Sequence, residues 1–406
     1  MEPLDIVMFS YADWLGMQST PQHLARLLAG AHRVLLVDMP HSIFRFLKER
    51  EQPGLARWRG PCLQQVQPAL WVYHPPHRFL PVGGLPYPVS RTSLRINGSL
   101  LAHRLAGVLR RLQFERPVLW SFSPVHGGAG EHLPRRLMVH DICDEWANYL
   151  SHPGDRRLVD EMDRRLAEEA DIVFTFSEDM KAKRQAHNPE THVVLPAGDV
   201  ALYSKAARAE TVAPDDLAAL PRPVVGAICV IGPSRFDRNL IVRMAEAHPE
   251  WSLALLGPVR GGIDLTPLAA LPNVHLMGNR KREEMPNYLK GMDVAIIPYA
   301  LNEATRHIYP MKTQEYLAGG KPVVAPRLPA CAGLEEAVYF ADDIPGFIAL
   351  TERALAEDTP DKAAVRRQVA AQNGWEQRLA TRLRLIEPLL QRHRTSRAEH
   401  RAAGSA

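Results

Sequence analysis

The residues best suited to chemistry fall in one stretch, 302–326, which reads NEATRHIYPMKTQEYLAGGKPVVAP. Pro310 fits the first turn of a helix, where a missing N–H costs nothing, and Met311 to Ala318 continues it as good helix former. Gly319 and Gly320 stop the helix. Lys321 and Pro322 then lead into Val323, Val324 and Ala325, a short apolar run of the kind that makes a buried parallel strand. A helix start of this sort, at Met311, Lys312 and Thr313, offers unpaired backbone N–H groups and a positive dipole end, which suit a diphosphate. Lys312 adds a full charge. Glu315, one turn further in, has a carboxylate that can accept two hydrogen bonds from a vicinal diol such as a ribose. Spacing alone also allows a plainer reading, in which this is ordinary α/β architecture and Glu315 is a solvated helix residue.

Elements that alternate between strand and helix must position that stretch. In the first half, strands are predicted at 6–10, 33–38, 70–74, 118–122, 137–141 and 172–176. Helical patterns occupy 21–30, 100–112 and 156–170. In the second half, strands are predicted at 224–231, 252–256, 274–277, 294–297 and 338–341, with helices at 237–247 and 283–290. This is an α/β chain built as two Rossmann-like domains. The expected division is 1–196 for the first domain, 197–223 for a linker rich in Pro, Ala and acid, and 224–374 for the second domain. A closing helix at 375–391 and a disordered tail at 392–406 complete it.

In parallel sheets ligands gather beyond the carboxyl ends of strands, so candidates sit just after them. Gly232 allows close backbone approach, and Arg235 can neutralise a phosphate in bidentate fashion or pair with Asp237. Asp141 and Asp144, in VHDICDEW, can each serve as a general base or cap the helix that follows.

The pattern of Glu315 followed by YLAGGKPVVA resembles the donor-binding segment of GT-B glycosyltransferases. The order GAICVIGPSRFD, LLGPV, LPNVHLMGNR, DVAIIPY and KTQEYLAGGKPVVAP is similar to that of bacterial glycosyltransferases of cell-surface and exopolysaccharide assembly. The resemblance implies two parallel sheets facing a central cleft, with Pro196, Gly198, Asp199 and Tyr203 echoing the family's hinge. It implies Asn279 and Arg280 against the base or phosphates, Asn302 and Glu303 near the donor sugar, and His126 near that sugar from the first domain. Asp13 and Trp14, in DWLGMQSTPQHLARLL, fall on the acceptor side, and Asp144 is the better base by likeness to inverting members. Where the large retaining family has a first glutamate, this chain has His307.

The implied activity is transfer of a sugar from a nucleoside diphosphate donor to a hydroxyl of a saccharide or lipid-linked acceptor. No cofactor and no metal are expected, charge on the leaving group falling to Lys312, Arg235 and the helix start. If configuration is retained, the departing phosphate can take the acceptor proton; if it is inverted, Asp144 or Asp141 must. A GT-B sugar-nucleotide epimerase, or a non-catalytic protein that binds sugar nucleotides, remains as an alternative.

Composition bounds the rest. Of 406 residues, 46% are hydrophobic and 23% charged, and the formal net charge is +4, mild enough to imply no nucleic acid partner. Cys62, Cys143, Cys229 and Cys331 are scattered and read as buried thiols in a reducing cytosol. The start MEPLDIVMFS lacks the basic opening of a signal peptide, and no apolar run approaches the ~20 residues that span a bilayer. A cytoplasmic location follows. The basic, aromatic piece 42–59 is either a contact with an anionic membrane face or a solvated loop.

Overall fold

Runs such as Val34–Val37, Val224–Ile228 and Ser252–Leu256 are buried along their whole length, as strands covered on both faces must be. The computed structural model describes residues 2–15, 19–42, 62–76, 79–126, 128–150, 152–302, 305 and 308–403. The chain divides into two units, Met1–Leu195 with Leu379–Ala406, and Pro196–Arg378.

The first unit holds β1 (Asp5–Phe9), β2 (Arg33–Val37), β3 (Leu63–Gln67), β4 (Leu70–Tyr73), β5 (Val118–Ser121), β6 (Leu137–Asp141), β7 (Ile172–Thr175) and β8 (Thr191–Val193). They form one sheet in the order β3-β4-β2-β1-β5-β6-β7-β8, parallel except for the antiparallel edge pair β3 and β4. Among its helices are α1 (Thr20–Leu28), α2 (Tyr87–Leu112) and α3 (Pro153–Glu169). Leu94 of α2 packs on Leu158 and Met162 of α3, with Tyr87 beside them.

The second unit holds β9 (Val224–Ile228), β10 (Ser252–Leu256), β11 (Val274–Gly278), β12 (Val294–Ile296), β13 (Val323–Pro326) and β14 (Val338–Ala341). Its all-parallel order is β11-β10-β9-β12-β13-β14. This is the doubly wound order whose direction reverses between the first and fourth strands, here β9 and β12, and that switch point is where such sheets bind ligands. Val225, Leu253, Leu255, Ile296 and Val324 meet Leu240, Ile241 and Met244 of the helix Arg238–Ala247 in the core.

Three expectations change. Residues 197–223 all lie within the second unit, where Val200–Tyr203 and Asp215–Ala218 are short helices and Tyr203, Ala206 and Leu217 are buried. The closing helix runs Trp375–Ala403, well into the part expected to be disordered. Cys62 is exposed, although Cys331 is buried as a small apolar residue would be. The strand β3 and the helices Ile344–Ala356 and Pro360–Ala371 were not foreseen.

Candidate functional site

Pro310 is the N-cap of the helix Met311–Ala318, with an extended ψ of 103° and no side-chain cap. The helix is therefore open at its start, on the carboxyl edge of the sheet between β12 and β13. Tyr316 pins it there: its hydroxyl accepts from Ile228 N at 2.7 Å and donates to Ile228 O at 3.2 Å, at the end of β9. Glu315 is buried, and its Oε2 accepts from Lys312 Nζ at 2.6 Å. Lys312 Nζ also donates to the Tyr203 hydroxyl at 2.8 Å. An ammonium has three donors, and among the described residues two of them are taken. Burial alone would lower the Lys312 ammonium, but the Glu315 carboxylate and Tyr203 hold it above the usual lysine range, fully charged at neutral pH.

The segment before this unit's first strand closes around the same helix. Asp199 N donates to Glu315 Oε1 at 3.4 Å, and the Asp199 carboxylate caps Val200–Tyr203 on Leu202 N and pairs with Arg282. Gly198 lies so near the helix that a Cβ there would stand 2.9 Å from Met311 O and 3.0 Å from Glu315 N. Of the helix's other candidates, Met311 is exposed, whereas Thr313 is fully buried with a hydroxyl that has no partner among the described residues. Gln314 donates to the Tyr309 hydroxyl at 2.6 Å.

Around this helix the remaining residues divide. Arg235 follows β9, and its guanidinium faces the half-buried Tyr299; Asp237, the alternative partner, caps its helix on Leu240 N at 2.9 Å. A Cβ at Gly232 would lie 3.3 Å from Arg260 O, so the loop backbones run close together there. Asn279 is exposed. Arg280 donates to the Tyr288 hydroxyl at 2.6 Å, to Asp216 at 2.9 Å and to Asn279 O at 3.3 Å, an arrangement that holds a turn. Asn302 braces its loop, donating to Ser234 O at 3.2 Å and accepting from Thr305 N at 3.0 Å. Glu303 and His307 lie outside the described residues, as does the basic piece 43–59.

The family model described as Glycosyl transferases group 1 matches residues 237–357, which contain the Lys312 and Glu315 helix. TuaH of Bacillus subtilis (strain 168), a protein named for a teichuronic acid biosynthesis glycosyltransferase, is 27% identical over 297 residues, 67% of this chain and 74% of its own. Among solved structures, the E. coli trehalose-6-phosphate protein bound with UDP-2-fluoro glucose superposes with a TM-score of 0.68 at 12% identity, over 95% of this chain and 99% of that one. Anabaena HepE in complex with UDP gives 0.63 at 13% identity, over 96% and 100%. The fold is GT-B, and within it residues 237–357 match the group 1 glycosyltransferase model.

In this glycosyltransferase the first unit's candidates have quite different surroundings. Asp141 is buried and committed: Arg382 Nε reaches its Oδ2 at 2.8 Å, Arg382 Nη2 its Oδ1 at 3.2 Å, and Trp120 Nε1 its Oδ2 at 3.1 Å. A carboxylate so enclosed anchors the closing helix to β6, with both oxygens committed to Arg382 and Trp120. Asp144 is half-buried and accepts from Glu145 N at 3.1 Å. His126 is buried against Phe9, ring centroids 5.2 Å apart, and among the described residues neither nitrogen has a hydrogen-bond partner. Burial pushes its pKa down to about 4, the backbone near Asp38 and Ser123 opposing only weakly, so the ring is neutral at physiological pH. That suits packing better than contact with a charged donor.

Asp13 meets His41 Nε2 at 3.2 Å, and Trp14 N donates to Asp38 Oδ1 at 2.8 Å while Arg26 lies 4.4 Å over the indole. Asp38 and its partner His74 were missed, although RVLLVD and LWVYH each end a strand on a residue able to handle protons. Tyr203 and Asp199 were read only as echoes of a hinge, yet both touch the Lys312 and Glu315 pair. Among the described residues no group of three or more His, Cys, Asp or Glu is placed to hold a metal ion, and no helix is long and apolar enough to cross a membrane.

Proposed function

We propose that the enzyme moves a hexosyl group from a nucleoside diphosphate sugar to a hydroxyl of a saccharide or lipid-linked acceptor, in assembly of a cell-surface polysaccharide. The observation that carries the donor half is the open helix start at Pro310, with Lys312 held charged between Glu315 and Tyr203. Negative charge grows on the diphosphate as the glycosidic bond breaks, and a fixed ammonium with backbone N–H groups stabilises that charge without reorganising. Glu315 keeps spare lone pairs for a ribose diol. A uridine donor is favoured because both HepE and the E. coli neighbour carry uridine nucleotides. The TuaH name favours a polysaccharide product.

Transfer is expected to survive chelation, since Lys312 and the helix start supply the positive charge. A peripheral site at the inner membrane face is favoured by α2: Val89, Ile96 and Leu100 are exposed along one stripe, and the helix carries no acidic residue. The test is incubation with UDP-glucose, UDP-galactose, UDP-glucuronate or UDP-N-acetylgalactosamine, with and without soluble saccharide acceptors and extracted lipid, plus chelator. Acceptor-dependent release of UDP supports the reading. Conversion of the sugar nucleotide without an acceptor makes the protein an epimerase, and donor binding with no turnover on any acceptor makes it a non-catalytic binder.

A further inference from the structure

We propose that Tyr203 is a positioning residue for Lys312: its hydroxyl fixes the ammonium so that one N–H stays turned towards the diphosphate of the donor. The proposal rests on the nucleotide-donor reading and deepens it, and every group it uses lies in the second unit.

The segment that carries Tyr203 runs along the helix Met311–Ala318. Gly198 pairs with Gly374 in a parallel bridge, and Asp199 then starts the single turn Val200–Tyr203. Within that turn Leu202 N donates to Asp199 Oδ1 at 3.1 Å and Tyr203 N to Asp199 O at 3.0 Å. Beyond it Ala206 reaches the far end of the same helix, where a Cβ on Gly319 would stand 3.2 Å from Ala206 Cβ. One short segment therefore touches both members of the ion pair. At its start the Asp199 N–H goes to Glu315 Oε1 at 3.4 Å, and at its end the Tyr203 hydroxyl meets Lys312 Nζ at 2.8 Å.

An ammonium only donates, so at that contact the Tyr203 oxygen is the acceptor and its own hydrogen stays available. The phenol also faces the Glu315 carboxylate, which can take that hydrogen. Burial, and after it the Glu315 charge, raise the phenol above its usual range against the pull of Lys312, so the hydrogen is kept at neutral pH. At 2% exposure the ring fills its site as a phenyl would, and the hydroxyl is the part that serves the pair. A lysine stem is flexible, and with Glu315 as its sole partner the ammonium could swing about the carboxylate. Held at two N–H groups by partners on a packed frame, it can turn the third in one direction only.

A double-mutant cycle on the whole chain tests this, with affinity for UDP, GDP, ADP and dTDP read by calorimetry and the tightest of the four carried through the cycle. Tyr203→Phe should weaken that affinity about tenfold, the expected effect of losing one hydrogen bond to a charged group. In a Lys312→Met background the same change should weaken it less than about twofold, because a residue that acts through Lys312 has nothing left to act on. Parental affinity in Tyr203→Phe overturns the proposal. So does an equal loss in both backgrounds, which is what a merely structural role would give. A second measurement needs no change at Tyr203: nitrogen-15 spectra of lysine-labelled protein, assigned with Lys312→Met, should show the Lys312 Nζ signal shifting when the nucleotide is added, and an unmoved signal overturns the proposal. A parent that binds none of the four nucleotides overturns the donor reading and this proposal together, whereas failure of the cycle in a parent that binds one overturns this proposal alone.

Discussion

Lys312 Nζ lies 2.6 Å from Glu315 Oε2, one turn along the same helix, and the pair sits at the helix's uncapped start. Each group governs the other: the carboxylate holds the ammonium charged, and the ammonium fixes the carboxylate's direction. Lys312→Ala should therefore cost more than one positive charge, because it frees Glu315 to repel a diphosphate. Steady-state kinetics should show kcat/KM down by about 10²–10³-fold, with Lys312→Arg recovering little, since its longer fork does not fit between Glu315 and Tyr203.

Gly198 should be nearly as sensitive although it bears no functional group. Gly198→Ala pushes a methyl against Met311 O and Glu315 N, both backbone atoms that cannot swing aside. Overpacking of this kind costs about 1–3 kcal/mol. Denaturation of the variant should show that loss, and nucleotide affinity should fall with it because the helix start shifts. Unchanged affinity would separate Gly198 from the grip.

Arg382 and Asp141 form a buried pair in the first unit, 3% and 2% exposed at their side chains. Removing one partner leaves an uncompensated buried charge, so Arg382→Met should destabilise by about 3–5 kcal/mol. The double variant Arg382→Met with Asp141→Asn should regain part of that. Turnover per folded molecule should hold in the double variant; a collapse of kcat there would return Asp141 to the catalytic list.

His126 makes the first unit sensitive to mild acid. Its folded pKa of about 4 lies below the ordinary value of 6.5, so between those values the unfolded chain binds more protons than the folded one. Its contribution is fully present above about pH 6.5 and is lost as pH falls towards 4, to an extent of about 3 kcal/mol. Urea melts of the parent and of His126→Phe at pH 7.0, 5.5 and 4.5 should show a shallower decline for the variant.

Much of the fold was legible because parallel strands covered on both faces leave unbroken apolar runs: RVLLV, VVGAI and SLALL can be little else. The strand β3 was not, because LQQVQ is a half-exposed antiparallel edge with nothing to bury. The Lys312 and Glu315 spacing was readable because i and i+3 on a helix are neighbours by local geometry. Contacts made by folding were not: Arg382 reaches Asp141 across 241 positions, and Lys312 finds Tyr203 across 109. Nothing local distinguishes Asp141, sealed by an arginine, from Asp38, which ends another strand and meets a histidine. The partners of Arg280, Asp216 and Tyr288, were hidden for the same reason, since they meet it only once the short helix Asp215–Ala218 is packed.

The central claim is that the helix opening at Pro310 grips a nucleoside diphosphate through Lys312 and Glu315. Thermal stabilisation of the purified protein by UDP, GDP, ADP, dTDP and CMP, with and without chelator and repeated on Glu315→Ala, tests it most directly. The predicted result is selective stabilisation by UDP, insensitive to chelator and weakened in the variant. Stabilisation by none of the nucleotides, or equal stabilisation of the variant and the parent, would contradict it.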